Sequence, residues 1–248
     1  MQCAQWPYRT GNDNQAVSPA ELTAFLREQL GRRTPVATDG AGLRRAVVLA
    51  PLVFKGGEPY VLFTERTHDV ATHKGQVSFP GGSIEVADAS PMEAALRETF
   101  EEIGVPPEAV EVVGQLDEVA TNAATFAITP FVGVMPDGAA HIASPFEVAR
   151  IAEVPLAHLL DPMVREPDLV TNHWKYSWDG LVIWGATARM LNELLHILGL
   201  VDPFAEDLAL LRSLSEAEER ARFVELMREL HPTRQSAAEA FRRSNQLV

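Results

Sequence analysis

The sequence predicts an α/β core that is followed by an α-helical extension. Two segments rich in β-branched and aromatic residues, 45–54 and 60–65, predict strands, and the turn residues between them predict a hairpin. A helix with capping signals at both ends is predicted over residues 90–104. Residues 203–248 contain no glycine and are rich in Ala, Leu, Glu and Arg, which predicts two or three helices.

The remaining elements follow from local signals in chain order. Ser18, Pro19 and Glu21 form a capping box with proline at the first helical position, so a helix begins there and ends at Gly31. Further strands are predicted in short segments that are rich in apolar residues, at 76–79, 111–119, 127–135, 145–154 and 181–184. Further predicted helices lie at 156–160 and 186–198. We therefore expect an N-terminal arm and helix over residues 1–42, an α/β domain over 43–200 and a helical extension over 201–248.

Composition excludes several classes of function. The chain has 248 residues and a formal net charge of −13, which argues against nucleic acid or an anionic membrane surface as the main partner. Cys3 is the only cysteine, so a disulfide framework and a zinc site with two thiolates are excluded. No apolar run approaches the ~20 residues of a membrane helix, and the N-terminus does not resemble a signal peptide. We expect a cytoplasmic protein.

Three glutamates share one side of the helix predicted over 90–104. At 3.6 residues per turn, Glu98, Glu101 and Glu102 lie within an arc of about 140° that starts at Arg97. Their mutual repulsion disfavours the helix, so either Arg97 reaches Glu101 or a cation binds. A glutamate-rich face is usually only solvated surface, whereas clustered carboxylate oxygens suit Mg²⁺ or Mn²⁺.

The opposite side of the same helix carries large apolar residues. Leu96, Phe100 and Ile103 lie away from the glutamates, and we expect all three to face the core.

The spacing of this segment resembles the Nudix hydrolase signature. Residues 97–104 read R-E-T-F-E-E-I-G, which matches the R-E-x-x-E-E-x-G core of that signature, and Gly81 and Gly82 precede it. The general signature places a further Glu eight residues before the arginine, at a position that is Ala89 here, with Asp88 beside it. The intervening loop is one residue longer than in the general signature.

This longer loop, and the string H-K-G-Q-V-S-F-P-G-G over residues 73–82, resemble the coenzyme A diphosphatase branch of the family. The resemblance covers residues from about 45 to 198. A Ser-Gly pair usual in this branch is missing from residues 122–126, and Ala71 stands where a basic residue is common. The hydrolase assignment therefore rests on more residues than the coenzyme A assignment.

The resemblance implies a Nudix fold, a mixed sheet between helices, and hydrolysis of a diphosphate with Mg²⁺ or Mn²⁺ as cofactor. For coenzyme A or its derivatives, the products are 3′,5′-ADP and 4′-phosphopantetheine or its acyl form. The alternatives are the same chemistry on ADP-ribose, NADH or a nucleoside triphosphate, and a non-catalytic module that senses nucleotides. Three mutually repelling glutamates argue against the non-catalytic alternative.

The resemblance also implies roles for individual residues. The metal ligands carried over are Glu98, Glu101, Glu102 and the Gly82 carbonyl, while Arg97 orients the carboxylates. A later acid often completes such a site, and Glu147 is our candidate for the base or a further ligand. The candidates for binding the substrate are Arg66, His73, Lys74 and Gly81.

Two apolar patterns lie outside this motif. Trp174, Tyr176 and Trp178 alternate as on one face of a strand, and a place in the core or on the sheet surface is favoured over a platform for stacking adenine. Phe223, Met227 and Leu230 fall at helical spacing, which predicts packing on this domain or against a second copy in a homodimer.

Overall fold

The computed structural model describes residues 18–39, 42–67, 75–121, 125–168, 173–200, 205–215, 217–230, 237–238 and 240–241. Within them the strands are β1 (Arg44–Lys55), β2 (Glu58–Arg66), β3 (Val77–Ser78), β4 (Gly81–Ser83), β5 (Glu111–Gln115), β6 (Val119–Ala120), β7 (Phe126–Val134), β8 (Val148–Pro155), β9 (Arg165–Asp168), β10 (His173–Trp178) and β11 (Leu181–Ile183). The helices are α1 (Pro19–Gly31), α2 (Pro91–Ile103), α3 (Leu156–Leu159), α4 (Gly185–Ile197), α5 (Ala205–Ser213) and α6 (Ala217–Leu230).

The main sheet is mixed. Its central path runs β3-β2-β1-β7-β5, with β4 paired to β1, β6 to β7 and β8 to β2. The β1 and β7 strands are parallel, and the other pairs are antiparallel. A second sheet has the order β11-β10-β9. The mixed sheet and its flanking helices confirm the predicted fold class.

Alternate residues of β1 belong to two separate cores. Val47, Leu49 and Val53 pack with the residues of α2 on one face of the sheet. On the other face, the intervening residues of β1 pack with the apolar sides of α1 and α4. Because side chains of a strand alternate between faces, one strand with a nearly continuous apolar run serves both layers. The β1 strand is therefore the centre of the fold.

The C-terminal helices join the second of these cores. Phe223, Val224 and Met227 of α6 are buried in the same cluster as the apolar residues of α1 and α4. Buried Asp207 on α5 accepts the backbone N–H of Ala238 at 2.8 Å. Helix packing on this domain accounts for the spacing of Phe223 and Met227, while the boundary near residue 200 stays a prediction.

The structure changes several sequence-based boundaries. The strand expected over 111–119 is divided into β5 and β6. The strand expected over 145–154 begins only at Val148, because residues 145–147 form a turn. The alternating aromatics lie on β10, where Trp174 and Tyr176 are buried and Trp178 packs against the same core, as predicted. No described helix is long and apolar enough to cross a bilayer.

Candidate active site

Helix α2 carries the three glutamates and has well-defined ends. The Ser90 side chain accepts the Glu93 backbone N–H at 3.2 Å, and Pro91 occupies the first helical position. Gly104 ends the helix with φ of 70°, and its N–H donates to the Phe100 carbonyl at 2.8 Å. Both ends match the capping signals in the sequence.

The prediction that Phe100 faces the core is wrong. Phe100 is 51% exposed, whereas Glu102 is only 2% exposed. The small residues Ala94 and Ala95 let α2 lie close to the sheet, and the buried side of the helix is centred on them and on Thr99. Phe100 and Glu102 are about 160° apart around the helix, so burying one exposes the other. Side-chain size and proximity to β4, rather than hydrophobicity alone, set the rotation of α2.

The β4 strand brings two glycines against α2 and β1. A Cβ atom built on Gly82 would lie 2.5 Å from the carboxylate carbon of Glu98, so only glycine lets this carboxylate rest on the strand. Gly81 has φ of 154°, and a Cβ there would collide with the Val47 carbonyl oxygen. The sequence did not predict β4, because two glycines carry no alternating side-chain pattern.

Glu102 is the most buried of the three glutamates. Burial is the main cause that raises its pKa, to about 7, and the negative charges of Glu147 and Glu98 raise it further. Arg66 opposes this shift, since its Nη1 lies 3.6 Å from Glu102 Oε1, and so does a hydrogen bond from the Gly81 backbone. Two predicted substrate-binding residues, Arg66 and Gly81, therefore lie beside a predicted metal ligand.

Glu98 also lies in a partly desolvated environment. Burial is the main cause that raises its pKa, and Arg97 acts in the opposite direction. The charges of Glu101 and Glu147 raise the pKa further. Repulsion therefore links all four acids, Glu98, Glu101, Glu102 and Glu147.

Arg97 holds two of these glutamates. Its Nη1 donates to Glu98 at 3.0 Å and to Glu101 at 3.2 Å. Of the two ways to offset the repulsion, the structure shows the contact between Arg97 and Glu101. The pKa of Arg97 is raised, and the main cause is the hydrogen bond that Arg97 donates to Asp88.

Asp88 is the residue of this site that sequence reasoning did not assign. It accepts Arg97 Nε at 2.9 Å and Arg97 Nη2 at 3.0 Å, while Nη2 also donates to the Ser83 carbonyl at 3.1 Å. The hydrogen bond from Arg97 holds the pKa of Asp88 below its usual value, and the backbone of Glu85 acts in the same direction. The one-residue lengthening of the loop was the signal that could have identified it.

Glu147 reaches the site from a turn between β7 and β8. The Ser144 N–H donates to the Glu102 carbonyl at 2.8 Å, and the Thr67 N–H donates to the Glu147 carbonyl at 3.0 Å. These bonds join the turn to the end of α2 and to the end of β2. The predicted residues His73 and Lys74 lie outside the described residues.

The donor set suits a hard divalent cation. The four glutamates carry carboxylates linked by repulsion, the Glu98 carboxylate lies against Gly82, and hard divalent cations prefer oxygen ligands of this kind. Within the described part of the chain, no three His, Cys, Asp or Glu side chains are already arranged around one metal position. The carboxylates of Glu98 and Glu101 accept hydrogen bonds from Arg97 and do not converge on a shared metal position. The chemistry of these oxygen donors nevertheless fits such an ion.

Comparison with known proteins decides the family. The NUDIX domain model matches residues 42–174. The chain belongs to the Nudix family. An uncharacterized Nudix hydrolase NudL from Cronobacter sakazakii is 38% identical over 188 residues, which cover 73% of this chain and 97% of that protein. The protein of the same name from Escherichia coli is 37% identical over 185 residues, which cover 71% and 90%.

Solved Nudix structures are also similar to this chain. The hydrolase RenU from Mycobacterium smegmatis has a TM-score of 0.40 and 22% identity, with 48% of this chain and 74% of that chain covered. An Ap4A hydrolase from Caenorhabditis elegans has a TM-score of 0.39 and 15% identity, with 46% and 81% covered. Nudix hydrolases act on the pyrophosphate bonds of nucleoside diphosphate derivatives and generally use divalent cations, so this chain is an enzyme of that class.

Proposed function

We propose that this Nudix hydrolase cleaves the diphosphate of coenzyme A or its derivatives, with Mg²⁺ or Mn²⁺ as cofactor. The products are 3′,5′-ADP and 4′-phosphopantetheine, or the acyl form of the latter. The observation that carries the proposal is the double hydrogen bond between Asp88 and Arg97. It gives a physical role to the lengthened loop, which is the feature that resembles the coenzyme A diphosphatase branch.

The proposed ligands are the carboxylates of Glu98, Glu101 and Glu102 with the Gly82 carbonyl. Divalent cations at this position would neutralise the phosphoryl oxygens and lower the pKa of the attacking water. The buried Glu102 has the most restricted surroundings, whereas Glu101 is half exposed and could rotate from its contact with Arg97 towards an incoming ion. This difference gives the site one fixed and one adaptable carboxylate.

Three residues that surround the proposed ligands, Arg97, Asp88 and Glu147, have supporting roles in the proposed reaction. Arg97 is a positioning residue, because Asp88 holds its guanidinium while Glu98 and Glu101 contact it. Glu147 is the proposed base or additional ligand, supported by its charge coupling to Glu98 and Glu102. Phosphoryl transfer needs positioning and charge neutralisation more than covalent chemistry, which this arrangement supplies.

Arg66 and Gly81 are the described candidates for binding the substrate, together with His73 and Lys74 in the neighbouring segment. The Arg66 guanidinium lies 3.6 Å from Glu102 and is partly exposed, so it can contact a phosphate and a ligand carboxylate together.

The proposal is tested by competition. Coenzyme A, ADP-ribose and NADH are mixed at equal concentrations with the enzyme and Mg²⁺, and the products are followed by mass spectrometry. We expect 3′,5′-ADP and 4′-phosphopantetheine to form first. If coenzyme A persists while ADP-ribose or NADH is cleaved, the substrate assignment is wrong although the family chemistry stands.

A further inference from the structure

Two side chains of β2 face the buried carboxylate of Glu102. The Thr64 hydroxyl lies 3.5 Å from Glu102 Oε2, and Arg66 Nη1 lies 3.6 Å from Glu102 Oε1. Because side chains of a strand alternate between faces, Thr64 and Arg66 share a face with Leu62, which packs in the core cluster that contains buried residues of α2. Each oxygen of Glu102 therefore faces a different side chain of β2. Arg66 is a candidate for binding the substrate, whereas Thr64 has no role in the site as described so far.

Thr64 and Glu102 are both shielded from solvent. Thr64 is 1% exposed and Glu102 is 2% exposed. A buried hydroxyl finds its acceptor within the protein, because bulk water cannot reach it. Among the described residues, two acceptors lie within reach of Thr64 Oγ1, namely Glu102 Oε2 at 3.5 Å and the Ser78 carbonyl of β3 at 3.4 Å. Both distances are long for a hydroxyl donor, as expected when a single hydrogen faces two acceptors.

The backbone of β2 restricts the direction of this hydroxyl. Thr64 pairs with Ser78 of β3 on one side and with Ile151 of β8 on the other, so its backbone is held between two neighbouring strands. A β-branched side chain has few rotamers on such a strand. A carboxylate is a stronger acceptor than a backbone carbonyl, since charge strengthens a hydrogen bond. An ionised Glu102 therefore meets a donor whose position is already set.

We propose that Thr64 is a positioning residue, whose hydroxyl orients the carboxylate of Glu102 for a divalent cation. The inference rests on the proposed function, in which Glu102 is a metal ligand. Hydrogen bonds to a ligating carboxylate fix its direction, and the loss of such a partner typically lowers metal affinity or activity by about 10- to 100-fold. Thr64 acts through Glu102 and not on the ion itself.

The test measures Mn²⁺ binding to the full chain without substrate, from the electron paramagnetic resonance signal of free Mn²⁺. Thr64→Val keeps the branched shape and removes the hydroxyl, so we expect the Mn²⁺ affinity to fall by about tenfold. Thr64→Ser keeps the hydroxyl and removes a buried methyl group, so it should bind Mn²⁺ nearly as tightly as the wild type but unfold at a lower temperature. If Thr64→Val binds Mn²⁺ like the wild type, or Thr64→Ser binds it as weakly as Thr64→Val, the inference is overturned.

The matched control is Thr129→Val, which removes a buried hydroxyl of β7 that donates to Glu118 at 2.8 Å, outside the proposed ligand set. This variant should lose stability and keep the wild-type affinity for Mn²⁺, and thermal melts should show that all variants fold. Equal losses of Mn²⁺ affinity in Thr129→Val and Thr64→Val overturn the inference, because any buried threonine hydroxyl would then have the same effect.

Glu102→Gln separates this inference from the proposed function. It should bind Mn²⁺ weakly, and adding Thr64→Val to it should cause no further loss, because Thr64 acts through Glu102. A further loss overturns the inference while Glu102 remains a ligand, whereas wild-type affinity in Glu102→Gln overturns both the ligand assignment and the inference.

Hydrolysis of coenzyme A by the same samples reports on the substrate. If coenzyme A is not cleaved although the Mn²⁺ affinities change as expected, the role of Thr64 stands and the substrate assignment fails.

Discussion

Asp88 accepts two hydrogen bonds from the guanidinium of Arg97, at 2.9 and 3.0 Å, and so fixes the plane of that group. The same guanidinium donates to Glu98 and Glu101. Asp88 therefore acts on the proposed metal ligands through Arg97. This relationship, its surrounding contacts and a separate ion pair at Glu118 lead to four predictions.

Replacing Asp88 by Asn should lower kcat/KM for the diphosphate substrate by about 10- to 100-fold, a range usual for groups that orient metal ligands. The amide keeps the size of the side chain but loses the negative charge, so Arg97 is held less firmly. Asp88→Glu keeps the negative charge, so its kcat/KM should lie above that of Asp88→Asn. It should still lie below the wild-type value, because the loop geometry fits the shorter side chain. Steady-state kinetics over a range of Mg²⁺ concentrations should show a raised requirement for the metal. A wild-type metal dependence in Asp88→Asn would contradict this role.

Replacing Glu101 by Gln should abolish most metal-dependent turnover, with a loss of at least about 100-fold, because a direct ligand contributes at least as much as its supporting groups. The fold should persist, since the Glu101 side chain is 52% exposed and its removal relieves repulsion within α2. Chemical denaturation measures the stability, and product formation measures the turnover.

The control for this variant is Glu108→Gln, which removes an exposed carboxylate in the 3₁₀ turn after α2. It should retain full activity. Turnover of Glu101→Gln within a few-fold of the wild type would remove Glu101 from the ligand set.

Replacing Gly82 by Ala should impair activity more than stability. The added Cβ would contact the end of the Glu98 side chain, which is flexible and can move away, so the protein folds with Glu98 displaced. Gly81→Ala should instead destabilise the fold, because its Cβ would meet the backbone of Val47. Thermal melts and kinetic assays of both variants separate the two effects.

Gly31→Ala is the control for these glycine variants, because a Cβ there would meet nothing within 4 Å. It should leave activity unchanged. If Gly82→Ala retains the wild-type kcat, then close contact between β4 and Glu98 is not needed for the reaction.

Stability at acidic pH should depend on Glu118. Burial on its own raises the pKa of Glu118, but hydrogen bonds from Thr129 and Arg45 outweigh this effect and lower the pKa below its usual value. A carboxyl group with a lowered pKa in the folded state stabilises the protein above its unfolded value of 4.5, and this contribution is lost as the pH falls through the folded pKa.

Glu118→Gln should therefore reduce the free energy of unfolding at pH 7, and the difference from the wild type should shrink as the pH falls below about 4.5. Urea denaturation at several pH values provides the measurement. A difference between the two proteins that is the same at every pH would show that the charge of Glu118 does not contribute.

Local sequence signals were sufficient to predict the elements that are bounded by capping or turn residues. Helix α2 was predicted from Ser90 to Gly104, and the cap contacts at both residues are present. The hairpin of β1 and β2 followed from two apolar runs separated by turn residues. These features depend on neighbours within a few residues, so the sequence contains them directly.

Tertiary contacts determined what the sequence did not reveal. The exposure of Phe100 and the burial of Glu102 result from how α2 rests on the sheet, and no periodicity in α2 alone specifies that rotation. The β4 strand forms because β1 offers it a partner at Val47. The approach of Glu147 to the site depends on backbone bonds between distant segments, such as that from Ser144 to Glu102. The residue types of the site were therefore predictable, but their packing was not.

The pairing of Gly82 with Val47 also has a consequence for how the protein acquires its activity. The whole signature lies within residues 80–105, yet the strand that Gly82 joins comes much earlier in the chain, and β7, which supports that strand, comes later. Contacts between distant segments form slowly, because loop closure must precede them. A peptide that contains only the signature would thus lack the surface on which its glutamates are arranged, and a nascent chain would become competent for catalysis only after β7 had left the ribosome.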